Sequence, residues 1–521
     1  MRLLLLLASL SQCSVALNFL VYNPMMGRSH VTFMGRISEV LTEAGHNVTM
    51  LGPIIEASLG SYGTTKANII TIPQSEEAKK FEGSRKFADA VWQTTSVTSL
   101  FEEFRRVGYT LQAQCNATLN HPGLLEALRK EHFDAAFTEG FDCCGWGIIH
   151  LLGIEKTAST LSIATFEGGF SMTGVPFFAS YVPGSFASSG PEMTFFQRMG
   201  NILSMYAMRH IMGLFAGPTD ELFAERYGED FPTSMAISEQ VSLTFLNSEP
   251  LIDFPRPTAH SIIEIGGITV STNPKPLNQS WDAIFNLRPK TVLLSFGTVA
   301  KSFAMPDAYK KTIRETFRKF PEVTFLWKYE KPEDKISEGI PNLIEGTFFP
   351  QRDMLNDPRL SLFITHCGQG STTEAVTAGT PLIVIPVMGD QVRNSQIVKR
   401  LGTGVVLNKE DLGGSEALES AIREVLDNPS YAENAKKVGQ MIRDRPFDVK
   451  EIFVKNMEFL AKYGPLRQLS HYGKELNFIQ YWLIDVFAFI GALLLSAITI
   501  LFLLVRTIFR CAFRFVKVKK D

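Results

Sequence analysis

From Phe363 to Glu374 the chain reads Phe-Ile-Thr-His-Cys-Gly-Gln-Gly-Ser-Thr-Thr-Glu, and a second run, Ala378 to Gln391, ends in Met-Gly-Asp-Gln. An apolar strand closing at Thr365 would be followed by His366, two glycines and a helix opening at Ser371-Thr372-Thr373. Small residues let the backbone approach a ligand closely, and the free N–H groups and dipole of a helix start favour an anion. His366 and the hydroxyls add donors. The chemistry on offer is a diphosphate cradle, built without the lysine of a P-loop. Glu374, one turn into the helix, could accept a pair of ribose hydroxyls. Taken alone, the turn also fits a plain strand-to-helix connection.

The elements around it alternate strand and helix, twice over. Asn18–Tyr22 is a short apolar strand and Asn23–Arg28 a loop. Ser29 offers an N-cap to a helix in which Phe33, Ile37, Val40, Leu41 and Ala44 recur at helical spacing until Gly45. Strands at 48–51, 135–138 and 241–247 continue a βαβ rhythm, which predicts a parallel, doubly wound sheet. Residues 270–279, with two prolines and few apolar side chains, read as a linker. Beyond Trp281 a second unit places strands at 291–296, 323–327, 360–365, 381–386 and 405–407, with helices at 307–320, 371–378 and 415–426. Two such domains leave a cleft at the carboxyl ends of their strands, where ligands bind. Between Phe166 and Phe215 lie Phe170, Phe177, Phe178, Phe195, Phe196, Met199, Met205, Met208 and Met212. This density suits an apolar acceptor pocket or a membrane contact, and equally suits helical core packing.

The 521 residues are 45% hydrophobic and 20% charged, with a formal net charge of −2, so no basic footprint for nucleic acid is present. The mean hydropathy of +0.06 is raised by the two ends. Arg2, the run Leu3–Leu10 and Ser14-Val15-Ala16 have the form of a signal peptide over 1–16. Val486–Val505 carries no charge and is long enough to cross the ~30 Å core of a bilayer. Tyr481 and Trp482 precede it, and Arg506, Arg510, Arg514, Lys517, Lys519 and Lys520 follow, which predicts a single span with a lumenal body and a cytosolic tail. That tail is net +5, leaving −7 for residues 1–505. The end Lys517-Val-Lys519-Lys520-Asp521 resembles a dilysine retrieval signal of the endoplasmic reticulum. Cys115, Cys143, Cys144 and Cys367 are too few for a disulfide scaffold, and their pairing stays open. Sequons stand at Asn47, Asn116 and Asn278; Asn47 opens a strand expected to be buried, which favours the other two.

The run from Phe349-Pro350-Gln351 to Gln391 resembles the signature of the UDP-glycosyltransferases, specifically the membrane-bound UDP-glucuronosyltransferases of animals. The loop Asn23-Pro-Met-Met-Gly-Arg-Ser-His30, the segment Asp253-Phe-Pro-Arg-Pro257 and the two ends extend the resemblance over nearly the whole chain. It implies an α/β fold of the GT-B type, two Rossmann-like doubly wound domains facing a cleft, plus a carboxyl-terminal transmembrane helix. The expected layout is a signal peptide at 1–16, an acceptor domain at 17–270, a linker at 271–281, a donor domain at 282–480, a span at 481–505 and a basic tail at 506–521.

Carried over position by position, the resemblance places His366 on the donor diphosphate and lets Gly368 and Ser371 shape the phosphate loop. Glu374 takes the ribose, Gln351 pairs with the uracil and Phe349 stacks on it, at a place where the family often has Trp. Asp390 and Gln391 hold sugar hydroxyls, Gly297 and Thr298 form a diphosphate-side turn, and Lys328 fills a place often taken by Arg. Cys367 occupies a position that is usually Gly. His30 matches the catalytic base, and its neutral imidazole could accept a hydroxyl proton. Glu139 aligns with the orienting carboxylate, one methylene longer than the usual Asp, and Asp142 is the alternative partner.

No Asp-x-Asp motif and no zinc-like cluster occurs, so neither a metal nor another cofactor is expected beside the UDP-sugar co-substrate. The implied partners are that donor, a small lipophilic hydroxyl acceptor and a membrane; self-association is open. The implied activity is transfer of a sugar, glucuronic acid in the first instance, with inversion. The alternatives are a glucosyltransferase of the same family, a catalytically silent sugar-nucleotide or lipid-binding membrane protein, and a single-span receptor.

Overall fold

The computed structural model describes residues 16–84, 91–92, 97–141, 143–164, 167, 173–270 and 274–518. The signal-peptide pattern up to Val15, Asp142, Phe166, Phe170, the first linker residues and Lys519 to Asp521 lie outside them. The first sheet comprises β1 (Asn18–Tyr22), β2 (Asn47–Pro53), β3 (Asn68–Ile72), β4 (Ala135–Glu139), β5 (Thr157–Leu161), β6 (Leu243–Leu246) and β7 (Ile262–Glu264), in spatial order 3-2-1-4-5-6-7. All its pairs are parallel, with Phe19 opposite both Val48 and Ala135. The second sheet comprises β8 (Lys290–Ser295), β9 (Val323–Lys328), β10 (Leu343–Gly346), β11 (Leu360–Thr365), β12 (Leu382–Val384) and β13 (Gly404–Val406), in order 10-9-8-11-12-13 and again parallel. Each winding reverses beside its first strand, between β1 and β4 and between β8 and β11. Ligands of such sheets sit at that reversal, off the carboxyl ends of the strands.

Helices α1 (Arg28–Glu43), α2 (Val97–Leu119), α3 (Cys143–Leu151), α4 (Phe195–Tyr227), α5 (Gln369–Ala378), α6 (Gln391–Leu401) and α7 (Val449–Tyr463) belong to the same compact unit as the sheets. A disulfide, Cys115–Cys144, joins α2 to α3. Strands such as β1 and β8 are almost wholly buried, as parallel strands covered on both faces must be.

Several boundaries differ from the sequence expectation. β3, β5, β7 and β10 were not anticipated. β5 reads Thr-Ala-Ser-Thr-Leu, with three hydroxyls in a fully buried strand, so apolar periodicity does not reveal it. Ser29 is not an N-cap: α1 begins at Arg28, after Gly27 at φ 66°, with no side-chain cap. α5 opens at Gln369, two residues before Ser371. Asn278 caps a helix over Gln279–Phe285 whose Trp281 packs on Phe349, so 279–281 join the second domain's core instead of the linker. α7 lies within 282–480 by sequence but completes the first domain's core. Its Phe453, fully buried, meets the rings of Phe245 at 4.8 Å and Phe137 at 6.2 Å. Asn47 is exposed, like Asn116 and Asn278, because it stands at the very start of β2.

From Ser470 onward the chain forms a separate unit. Its helix α8 (Ile484–Val518) is apolar over Ile484–Phe513, long enough to cross a membrane. The helix runs on past Val505, so Arg506 and Arg510, expected in the tail, are helical.

The two sheets are joined through Asp253, in the connection after β6. It accepts from Arg256 at 2.7 Å on its own domain and from Arg393 of α6 at 2.6 Å on the other, with all three side chains at most 5% exposed. Burial opposes its charge, but the two guanidiniums more than offset that and hold its carboxyl well below the usual range. Arg400, also on α6, donates to the carbonyls of Ile252 and Asp253, and Arg393 and Arg400 both lie over the Phe254 ring. Removing one partner of a buried pair strands the other charge, so Asp253→Asn is expected to cost about 3–5 kcal/mol in denaturant unfolding. The double variant Asp253→Asn, Arg393→Gln should lose less than the sum of the two single losses.

Candidate active site

Nearly all the side chains singled out in the sequence gather off the carboxyl ends of the strands. His30 stands in the first turn of α1, just after β1, and Glu139 is the last residue of β4. These are the two strands that flank the reversal of the first sheet. His30 Nδ1 lies 2.9 and 3.0 Å from the Glu139 carboxylate oxygens. The loop entry permits this: at Gly27 a Cβ would come within 3.1 Å of the imidazole. Ser162, just past β5, donates its N–H to Glu139 at 2.9 Å and sets its hydroxyl 2.8 Å from His30 Nδ1. With Nδ1–H committed to the carboxylate, Nε2 is the ring nitrogen that can accept a proton. The imidazole is 37% exposed and Glu139 only 7%.

The electrostatics follow from this pairing. Burial disfavours imidazolium at His30, but the Glu139 carboxylate outweighs it, Asp390 and Glu56 add to that, and the pKa is raised above 6.5. Burial likewise resists ionisation of Glu139; the His30 charge and the Ser162 bonds overcome it and hold the carboxyl below its ordinary value.

The second domain supplies the facing wall. Gly297 follows β8 and His366 follows β11, again flanking the reversal. The His366 imidazole is held between two glycines. A Cβ would come within 2.5 Å of it at Gly297, whose φ is 78°, and within 2.6 Å at Gly368. Burial and the nearby Lys328 charge lower its pKa to about 4, so it is neutral at physiological pH. Lys328, at the end of β9, donates to the Gly297 carbonyl; burial lowers its pKa, with Glu330 opposing. Thr298 continues the turn, half-buried. Cys367 is buried at φ 66°, where glycine would be unstrained, and accepts from the Thr372 hydroxyl at 3.4 Å.

Gln351, Ser371 and Glu374 form one cluster: the Gln351 amide donates to Glu374 at 2.8 Å and to Ser371 at 3.2 Å. Burial raises the Glu374 pKa, against the pull of Gln351 and Arg352. Asp390 accepts from Asn394 at 2.9 Å, and Asn394 also donates to the Cys367 carbonyl, tying the start of α6 to the loop after β11. Gln391 spends its side-chain oxygen on the N–H groups of Val387 and Met388, so only its amide nitrogen remains for a ligand.

One expected role does not fit. Phe349 is 5% exposed and packed against Trp281 in the core, so its ring has no face to offer a base. The adjacent Phe348 is 74% exposed and presents the aromatic surface of this loop. Two adjacent phenylalanines give no sign in the sequence of which one points inward. Ser162 was also missed, because β5 before it was missed. So was the bridge across the cleft: Gln369 at the head of α5 donates to the Asn247 carbonyl at 2.8 Å, and Asn247 donates to the Ser162 carbonyl at 2.8 Å. The Phe/Met-rich segment divides. Met208 and Ile211 of α4 pack inward with Leu161 and Leu246 in a cluster that includes Phe141, whose ring edge meets His30 at 5.7 Å. Phe195, Phe196 and Met199 point outward.

Comparison with known proteins gives the family and the fold. Residues 19–521 match the family model described as UDP-glucoronosyl and UDP-glucosyl transferase. The chain is 30% identical over 482 residues to ugt-47 of Caenorhabditis briggsae, covering 90% of this chain and 89% of that one. It is 28% identical over 514 residues to UDP-glucuronosyltransferase 1A1 of Mus musculus, covering 96% and 94%. Among solved structures, the calicheamicin glycosyltransferase CalG4 superposes with a TM-score of 0.57 at 14% identity, over 86% of this chain and 99% of that one, and the glycosyltransferase VinC, in complex with dTDP, with 0.56 at 14%, over 86% and 100%. These neighbours share the GT-B fold of two Rossmann-like domains. With a family match over nearly its whole length, the chain belongs to the UDP-glucuronosyl and UDP-glucosyl transferases.

Proposed function

We propose that this transferase moves glucuronic acid from the UDP-sugar to the hydroxyl of a small lipophilic alcohol or phenol, with His30 as general base. The observation that carries the reading is the His30–Glu139 pair, which leaves Nε2 on the cleft side of the first sheet while His366 and Asp390 stand on the second. His30 takes the acceptor proton as the oxygen attacks the anomeric carbon, the bond to the UDP oxygen breaks on the opposite face, and an α-linked donor gives a β-glycoside. Glu139 stabilises the imidazolium as it forms, the role of the carboxylate in a Ser-His-Asp triad without the covalent nucleophile. Charge on the departing diphosphate is met by neutral His366, the N–H groups at the head of α5 and the turn at Gly297 and Thr298. Glu374, Gln351 and Ser371 form the nucleoside pocket, and Phe348 in place of Phe349 stacks on the base. Asp390 and the Gln391 amide nitrogen take sugar hydroxyls. The apolar cluster running from Phe141 to Met208 suits a lipophilic acceptor.

The same reading places the chain in the endoplasmic reticulum membrane, spanning once through α8 with its body in the lumen. The Cys115–Cys144 disulfide fits an oxidising compartment, and the exposed Asn47, Asn116 and Asn278 are open to glycosylation. Glucose is the second donor to weigh, since the matching family model covers both sugars.

Purified full-length protein given labelled UDP-glucuronate, UDP-glucose and a panel of phenols and alcohols should transfer glucuronate; transfer from neither donor sinks the proposal. His30→Ala should lower kcat about 10²–10⁴-fold while UDP still binds. In Glu139→Gln the group that raises the His30 pKa is gone while burial remains. The acid limb of kcat/KM should therefore move to lower pH, and the plateau should fall by about 10²–10⁴-fold. Gly297→Ala forces a left-handed backbone on a residue with a Cβ and pushes on His366. It should cost on the order of 1–2 kcal/mol in thermal unfolding and weaken UDP binding by titration.

A further inference from the structure

Two residues of the first domain are buried in the core of the second. Val91 and Trp92, between β3 and α2 in sequence, are 8% and 2% exposed and belong to the cluster of Val292, Leu294, Phe296 and Met305. The Trp92 ring meets the Phe296 ring edge-on at 4.9 Å, and its indole N–H donates to the Lys301 carbonyl at 2.9 Å. Lys409 donates to the Val91 carbonyl at 3.3 Å. An indole carries about 150–250 Å² of surface to bury and an N–H that then needs a partner; here groups of the other domain meet both needs.

Phe296 and Lys301 are the two ends of the turn that carries Gly297 and Thr298. Residues 296–301 form neither helix nor strand. From the second domain the turn is held by Lys328, which donates to the Gly297 carbonyl, and by the Lys301 N–H, which donates to the Val299 carbonyl at 2.9 Å. Ser302, next in the chain, donates its N–H to Glu330 and its hydroxyl to the Lys328 carbonyl, each at 2.8 Å. Trp92 adds a hold from the first domain, and one side chain engages both ends of the turn. The grip is also two-sided. Side chains alternate across a sheet, so Val292 and Leu294 face one core of the second domain while Leu293 faces the other. Trp92 lies in the first of these cores, and Phe254, also of the first domain and 1% exposed, lies in the second.

We propose that Trp92 is a positioning residue for the donor, clamping from the first domain the ends of the turn whose Gly297 and Thr298 meet the diphosphate. The inference rests on the reading of that turn as part of the donor site. A change at Trp92 is then felt as donor affinity, although the residue belongs to the domain that holds His30. By linkage, a donor that favours the clamped turn must tighten the seat of Trp92 by the same factor.

The test uses purified full-length protein. Trp92→Phe keeps a ring in the core and removes the donor to Lys301. Ile422→Val, on the helix Ser415–Asp427, thins the same core from outside the turn. In Trp92→Phe the Kd of UDP and the KM of the UDP-sugar should rise together by about 2–10-fold, the effect of one lost hydrogen bond. The KM of the acceptor and the acid limb of the pH profile should stay in place. Ile422→Val should lower Tm and leave the Kd of UDP unchanged. An unchanged Kd in Trp92→Phe, or an equal rise in Ile422→Val, overturns the proposal. Should Trp92→Phe not fold, amide exchange of the unaltered protein decides: saturating UDP should slow exchange in peptides containing Trp92 as well as in those containing Gly297. Protection at Gly297 alone overturns the clamp and leaves the donor site standing. Protection at neither overturns both.

Discussion

The buried carboxylate of Asp253 is the point on which the two halves of this molecule depend. It stands in the first domain, yet one of its two guanidinium partners comes from α6 in the second, the helix that begins at Gln391. Three charges so deeply buried are tolerable only with good geometry and further hydrogen bonds, and most of their polar atoms are engaged, Arg393 Nη1 excepted. Ser248 donates to the carboxylate, the Arg393 Nε donates to the Pro183 carbonyl, and Arg400 takes the carbonyls of Ile252 and Asp253. An apolar contact of similar size would slide. This one fixes direction, and so fixes where Asp390, one turn from Arg393, lies relative to His30.

Within that frame the two histidines illustrate how one residue type serves two purposes. His30 is partly exposed and paired with a carboxylate, so its pKa goes up. His366 is buried between two glycines with a lysine nearby, so its pKa goes down. In the proposed reaction the first takes up the acceptor proton and the second stays a neutral donor beside the diphosphate. Environments that push like groups apart in pKa are how an active site assigns roles. Both positions arise from the same piece of topology, the reversal of winding beside the first strand of each sheet.

Much of this was legible in the chain. The loop after β11 could be read because its pattern is local: His366, Gly368, Ser371 and Glu374 lie within nine residues, and a strand and a helix flank them. The strands with near-continuous apolar runs, β1, β8, β9 and β11, were equally plain. What stayed hidden depends on partners distant in sequence. β5 is buried because it pairs with β4 and β6 and helices pack on the faces of the sheet, although its own residues are mostly polar, and Ser162 went unnoticed with it. Phe348 and Phe349 differ only in which way the backbone turns after β10. The Asp253–Arg393 pair joins residues separated by 140 positions, and no local pattern points from one to the other.

The return of α7 to the first sheet has a consequence for how the protein is made. Phe137 and Phe245 leave the ribosome early, but the Phe453 that covers them comes some two hundred residues after the second of them. At ~5–20 residues per second, the apolar face they form waits on the order of ten seconds or more for its lid. During that time the whole second domain is synthesised and has its own core to close. The first domain is therefore finished last, at about the moment the anchor helix emerges. A nascent chain paused or truncated before α7 would carry a second domain with its sheet complete and a first domain with one sheet face open.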